Sequence, residues 1–134
     1  MAKKIKIVVS VVVLIFLLLV SGVIPTGKVN THSNYYSDRE INSAIFMAKL
    51  YFTLNFKGCD LINIDYAGDE SIPAAEAWAD DSHARKAIIL TSSFNVDSSG
   101  GDGSLEPNKT YKGWQWIMIS HLGLIYHHKT HGYG

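Results

Sequence analysis

The sequence predicts an α+β fold in which one long helix packs on a curved antiparallel sheet of about four strands, behind an N-terminal transmembrane or signal helix. Three observations lead to this fold class. A capping box at Ser37–Glu40 opens a long amphipathic stretch. Short runs of alternating apolar and polar residues, typical of strands, follow that stretch. The chain has 134 residues, which suits one folded domain after an N-terminal segment.

The N-terminal segment, residues 1–24, begins with lysines and continues as an apolar run. The run over residues 7–24 is about 18 residues long, the lower limit for crossing a bilayer, and the preceding lysines favour a cytoplasmic N-terminus. Val20–Gly22 also fits the cleavage pattern of a secretory signal. We therefore predict a single-pass membrane anchor or a cleaved signal, and in both cases an extracytoplasmic or secreted domain over residues 37–134. Residues 25–36 lack apolar periodicity and are interpreted as a flexible tether.

The long helix is the first element of the domain. Apolar residues recur at helical spacing from Ile41 to Phe52. Lys57 suits the negative end of a helix, and Gly58 is the residue type that most often terminates one. A helix is therefore predicted from about Asp38 to Lys57.

A four-stranded antiparallel meander is predicted after this helix. In the first strand, Ile62, Ile64 and Tyr66 alternate with polar residues and should share one face. The second strand should place its even-numbered apolar residues, Ile88 to Val96, on the inner face. The strands are predicted at 61–66, 84–96, 112–121 and 124–131, with a short helix over 73–79.

Charge and cysteine content exclude some functions. Three of the twelve basic residues precede the apolar run, so the rest of the chain carries nine basic and twelve acidic residues, a net charge of −3. This balance argues against a nucleic-acid partner, which would require a basic patch. The single cysteine, Cys59, cannot form an internal disulfide, and burial as an inert thiol is favoured over an intermolecular bond.

The histidines, acids and loop glycines suggest metal sites, but a structural interpretation is favoured for each. On a regular strand, His127 and His131 share a face about 13 Å apart, and His128 points to the opposite face. Solvated strand histidines are therefore favoured over a metal site. The loop at Asp97–Ser104 does not fit an EF-hand, so its glycines are attributed to turns rather than to a bound ion. No metal or other cofactor is predicted.

Aromatic residues near the predicted final hairpin are the candidate ligand contacts. Trp114 and Trp116 share one strand face, and Tyr126 or His128 could lie across the hairpin. Such a platform could bind sugar or peptide, although packing on the helix is the commoner role of buried aromatic residues. No catalytic residue is predicted, because the chain has neither Gly-x-Ser-x-Gly nor His-Glu-x-x-His.

Five motifs of the chain carry a family resemblance: Phe56–Cys59, Ile88–Ser92, Val96–Leu105, Trp114–Ile117 and Gly132–Gly134. In these motifs the chain resembles a bacterial family of secreted proteins and lipoproteins, the "domain of unknown function" family numbered 4829. The resemblance covers Ser37–Gly134 and implies a cystatin-like or nuclear-transport-factor-2-like cone, without an assigned activity. Two departures are Val23 in place of a lipid-acceptor cysteine and His131 in place of an aromatic residue.

Two functions follow as hypotheses. The first is a membrane-tethered, non-catalytic binding or interaction module of the bacterial cell envelope, with a small ligand, an envelope polymer or a protein as its partner. The alternative is a small enzyme that uses an Asp/His acid–base pair in the cavity of the cone.

Overall fold

The computed structural model describes residues 2–23 and 32–133 and confirms the α+β class. Four strands form one antiparallel sheet in the order β1-β2-β3-β4. In this part of the chain the helices are α1 (Ala2–Val20), α2 (Asp38–Asn55) and α3 (Ile72–Asp81), and the strands are β1 (Cys59–Tyr66), β2 (Lys86–Val96), β3 (Thr110–Ser120) and β4 (His127–Tyr133), with a 3₁₀ turn at Asp69–Ser71.

Helix α2 begins with the predicted capping box. The backbone N–H of Glu40 donates to the Ser37 hydroxyl over 3.1 Å, and the Ser37 backbone N–H donates to the Glu40 carboxylate over 3.4 Å. The helix ends at Asn55, two residues earlier than predicted. Gly58 follows with a φ of +68°, a conformation that glycine adopts without the steric cost of a side chain.

The larger core lies between α2 and one face of the sheet. The predicted inner-face residues of β2 are buried there, and Ile88, Leu90 and Phe94 have no exposed surface. Aromatic rings fill much of this core, with Phe52 packed edge-on against Phe94 at a centroid distance of 5.5 Å. Burial of these apolar side chains is the main stabilising contribution to the helix–sheet packing.

Helix α3 covers the opposite face of the sheet, which the sequence did not predict. Its proline lies in the first helical turn, where a missing backbone N–H has no cost. Small side chains let the helix approach closely and form a second, aliphatic core. That core contains Ala75, Ala79, Ala87, Ile89, Ile117 and Ile119.

Irregularities in the strands change which side chains face the core. The pairing of β1 with β2 shifts between Leu61 and Asn63, and Ile62 is 56 % exposed. The prediction that Ile62 shares a face with Ile64 and Tyr66 is therefore wrong, because one extra residue in a strand inverts the alternation. The last strand also begins later than predicted, at His127.

Helix α1 contacts the domain near its C-terminal end. Phe16 packs edge-on against Phe46, with ring centroids 6.4 Å apart. Val20 is buried, and its carbonyl accepts a hydrogen bond from the Ser43 hydroxyl. Over residues 2–23 and 32–133, no helix has both the length and the apolar character needed to cross a membrane.

The segment predicted as a tether, residues 25–36, lies largely outside the described residues. Its end contacts the domain: the Ser33 hydroxyl donates to the Asp69 carboxylate over 2.5 Å. Tyr36 is buried, and its hydroxyl donates to the carbonyl of Ala87 over 2.5 Å. Residues 33–36 therefore belong to the packing of the domain.

Candidate functional site

A cleft of about 460 Å³ opens at the C-terminal end of α2. The long loop between β2 and β3 forms one wall, and β3 and β4 form another. We call it the aromatic cleft, because half of its lining residues carry aromatic rings. The lining residues are Tyr51, Asn55, Phe56, Gly101, Ser104, Leu105, Trp114 and His131. The volume falls in the range that binds small molecules in proteins.

The end of α2 supplies three of the lining residues. Tyr51 and Asn55 are one helical turn apart, and the Asn55 amide nitrogen donates to the Tyr51 carbonyl over 3.0 Å. Phe56 caps the helix and leaves the helical conformation, with φ −100° and ψ 71°. Its ring meets Trp114 edge-on at 6.1 Å. The helix terminus therefore directs these side chains into the cleft.

Backbone and side-chain hydrogen bonds fix the loop between β2 and β3. The Asp97 carboxylate accepts from the backbone N–H of Ser99 over 2.8 Å and from its hydroxyl over 2.5 Å. Both hydrogen bonds lower the pKa of Asp97, and the bond from the Ser99 hydroxyl has the larger effect. A side chain on Gly100 would lie 2.6 Å from the Leu105 carbonyl, at a φ of +67°. Turn geometry thus accounts for this glycine.

The two tryptophans of β3 differ in their hydrogen bonding. Trp116 is fully buried, and its indole N–H donates to the Ser92 hydroxyl over 2.8 Å. Trp114 is half-buried in the cleft wall, and its buried indole N–H has no hydrogen-bond partner among the described residues. A buried donor without an acceptor costs about 1–3 kcal/mol. The cleft therefore contains one unsatisfied polar group.

His128 and His131 contact each other at the cleft. His131 lines the cleft, and His128 lies behind its wall. The Nε2 atom of His128 and the Nδ1 atom of His131 are 2.9 Å apart. A register shift in the β3–β4 pairing lies between them, opposite Ile117 and Met118. The shift puts His128 on the same face as His131. The prediction that His127 shares that face, with His128 on the opposite one, is therefore wrong.

Both imidazoles of the pair lie among aromatic rings. His128 stacks on Tyr51, with ring centroids 3.8 Å apart and an interplanar angle of 14°. Burial, followed by the neighbouring His131 and His127, lowers the pKa of His128 to about 4. Burial also lowers the pKa of His131. The interpretation of these two residues as solvated strand histidines is therefore wrong, whereas His127 is exposed.

The structure separates the four predicted ligand contacts. Trp114 lines the aromatic cleft, and His128 lies behind its wall against Tyr51. Trp116 and Tyr126 have no exposed surface. Tyr126 lies at the other end of α2, where its hydroxyl donates to the Glu40 carboxylate over 2.9 Å.

Sequence reasoning missed several lining residues. Tyr51 falls within the apolar helical pattern from Ile41 to Phe52, which does not indicate a cleft, and Phe56 is only the first residue of the motif Phe56–Cys59. His131 carried the clearest signal, because it stands where the resemblance implies an aromatic residue. In the structure the His131 ring stacks on Trp114, with centroids 5.8 Å apart.

Few of the described lining residues carry titratable groups. Among the described residues, the titratable groups of the lining are the Tyr51 hydroxyl and the His131 imidazole. No Asp or Glu of this part of the chain lines the cleft, so the predicted Asp/His pair is not assembled there. Within residues 2–23 and 32–133, no three His, Cys, Asp or Glu side chains are grouped to hold a metal ion. Cys59 is half-buried outside the cleft, and burial, then Asp97, raises the pKa of its thiol.

The fold and the site define an α+β domain with an aromatic cleft. Comparisons of the chain with models of protein families, with curated proteins and with solved structures found no match.

Proposed function

We propose that this protein is a non-catalytic binding module of the bacterial cell envelope, which takes a small ligand or the end of an envelope polymer into the aromatic cleft. The cleft itself carries the proposal. It combines four aromatic rings with a buried, unpartnered indole donor, and it lacks an acid–base pair. Concave sites of mostly apolar lining with a few fixed polar groups are typical of small-molecule binding.

We also propose an extracytoplasmic position, either on a single-pass anchor or after signal cleavage. Three lysines precede an apolar segment in the sequence. Large apolar side chains are exposed along most of α1; Ile5, Val9 and Phe16 are 64 %, 55 % and 48 % exposed. Exposed apolar surface of this extent marks a surface that contacts protein or membrane. Alkaline phosphatase fused after the domain should be active in a bacterial host, and an inactive fusion would contradict the proposal.

We keep the resemblance to the family numbered 4829, and the cone-like fold it implies, as part of this proposal. A long helix against an antiparallel sheet of four strands supports it. Helix α3 on the outer face is an addition to that simple arrangement. An experimental structure whose sheet is flat, rather than wrapped around α2, would contradict the cone.

A binding and turnover screen tests the proposed function. The full chain in mild detergent is screened against a small-molecule library by ligand-observed NMR, together with a panel of hydrolysis substrates. We expect hits that compete for one site and are lost in Trp114→Ala. Turnover that disappears in His131→Ala would instead favour the enzyme hypothesis. Trp78→Ala is the control for the loss of a tryptophan side chain. Trp78 belongs to α3 and packs against the second core, on the face of the sheet opposite to α2, so it does not line the aromatic cleft.

A further inference from the structure

We propose that the aromatic cleft recognises an uncharged saccharide ring. This inference rests on the proposed binding function and narrows it to one ligand class. Three properties of the lining lead to it: the absence of charge, a mixed set of polar groups and the flat aromatic faces.

The first property is electrostatic neutrality. The eight lining residues contain no Lys, Arg, Asp or Glu. Burial keeps the pKa of His131 below its usual range, so its imidazole is neutral at pH 7. A charged ligand would lose hydration in such a site without gaining an ion-pair partner, which is unfavourable. The lining therefore favours an uncharged ligand over an anion or a cation.

The second property is a combination of donors and acceptors. The buried N–H of Trp114 requires an acceptor. Asn55 uses an amide N–H to donate to Tyr51, and Ser104 donates its hydroxyl proton to Gly101. The Asn55 amide oxygen and the Ser104 oxygen thus remain as acceptors. A hydroxyl group both donates and accepts, so a ring with several hydroxyls can satisfy all three groups, provided that ligand binding turns the Trp114 indole so that its N–H, buried in the unliganded cleft, faces the ligand. A purely apolar ligand would leave the indole N–H unpaired.

The third property is the shape of the apolar surface. Tyr51, Phe56, Trp114 and His131 present rigid rings, of which Trp114 and His131 are stacked and Phe56 stands perpendicular to Trp114. Aromatic residues supply large apolar faces with a polar edge. The C–H faces of a pyranose ring suit such surfaces, and its hydroxyls point outward toward the polar groups. An extended peptide lacks this combination of a flat apolar face and an equatorial belt of hydroxyls.

The three tryptophans of the chain provide a direct test. We would record the indole N–H signals of the ¹⁵N-labelled full chain in mild detergent and assign the Trp114 signal with Trp114→Phe. The probes are N,N′-diacetylchitobiose, its deacetylated cationic form, glucuronate and a capped trialanine peptide. We expect saturable shifts of the Trp114 signal with the uncharged disaccharide. Trp114→Phe keeps an aromatic ring without its donor and should weaken binding about tenfold, while Trp78→Phe should leave it unchanged.

The outcomes separate the two proposals. Stronger binding of the cationic sugar, of glucuronate or of the peptide overturns the saccharide inference and leaves the binding function intact. Unchanged affinity in Trp114→Phe overturns the role assigned to its donor. Absence of binding by every probe overturns the saccharide inference, and if the small-molecule screen also fails, the binding function falls with it.

Discussion

The two ends of α2 differ in how completely their polar groups are paired. At the N-terminal end, the Glu40 carboxylate accepts from Lys86 over 3.0 Å and from the Tyr126 hydroxyl over 2.9 Å, and it also closes the capping box with Ser37. At the C-terminal end, the indole N–H of Trp114 has no acceptor among the described residues, and the cleft is open. Satisfied groups hold the fold together, whereas an unsatisfied group beside open space is where a ligand can bind.

The largest expected effect is at the satisfied end, with Glu40→Ala. Its side chain is 13 % exposed, and its loss leaves the Lys86 ammonium and the Tyr126 hydroxyl unpaired. We expect the free energy of unfolding to fall by about 3 kcal/mol, because removing one member of a largely buried ion pair is costly. Chemical denaturation followed by circular dichroism measures the change.

The exposed ion pair of Glu106 and Lys109 is the matched control for that substitution. Its side chains are 71 % and 42 % exposed. Exposed pairs contribute little to stability, so Glu106→Ala should not measurably change the unfolding midpoint. If Glu40→Ala and Glu106→Ala lowered the free energy of unfolding equally, the N-terminal end of α2 would have no special role in stability, and the contrast with the cleft at its C-terminal end would be wrong.

A smaller effect is expected from making the same substitution at the two neighbouring tryptophans. Trp116→Phe deletes the hydrogen bond to Ser92 and leaves a small cavity in the core, so stability should fall by about 2 kcal/mol. Trp114→Phe loses part of the ring packing in the cleft wall but also removes a buried, unpaired donor, so the two effects offset each other and the change in stability should be close to zero. Thermal unfolding of the two variants checks the difference. A large loss in Trp114→Phe would mean that its indole N–H has an acceptor in solution.

The smallest effect concerns the dependence of stability on pH. The pKa of His128 in the folded protein, about 4, lies below its unfolded value of about 6.5, so between these values the unfolded chain binds more protons. Stability should therefore be highest above pH 6.5 and should fall as the pH decreases toward 4. His128 is only half-buried, and after screening by solvent we expect its share of this loss to be about 1 kcal/mol.

Matched substitutions on neighbouring residues isolate this contribution. His128→Gln should flatten the slope of unfolding free energy against pH between 4 and 6.5. His127→Gln, on the exposed face, should retain the slope, because both half-buried imidazoles remain. An unchanged slope in His128→Gln would show that the pair does not control the acid sensitivity of the cleft end.

Local sequence signals predicted much of the fold. The capping box depends on residues three apart in the chain, so Ser37 and Glu40 identified the start of α2 correctly. The inner face of β2 was also predicted correctly from its alternation. The position of α3 could not be predicted, because its small side chains fit either a surface helix or a close packing partner.

The candidate site was less predictable, because strand irregularities invert the alternation on which the predictions depended. Gly113, with φ +69°, lies at the shift in the β2–β3 pairing. A glycine inside a strand indicates such an irregularity, so this shift could have been predicted from the sequence. Nothing in the sequence around Lys129 indicates the shift that brings His128 and His131 together. Tyr126 lies in the loop that joins β3 to β4, packed on α2, and not in a strand, so its predicted pairing with the tryptophans did not form.

The bond between Glu40 and Tyr126 has a consequence for the order of folding. It joins residues 86 positions apart in the chain, so it raises the contact order and can form only after the C-terminal region has been synthesised. Contacts of such long separation form slowly, because loop closure must come first. An emerging chain would therefore expose the N-terminal end of α2 until its last segment arrives. A delay or pause near the end of synthesis should make the nascent protein most sensitive to proteolysis at that end.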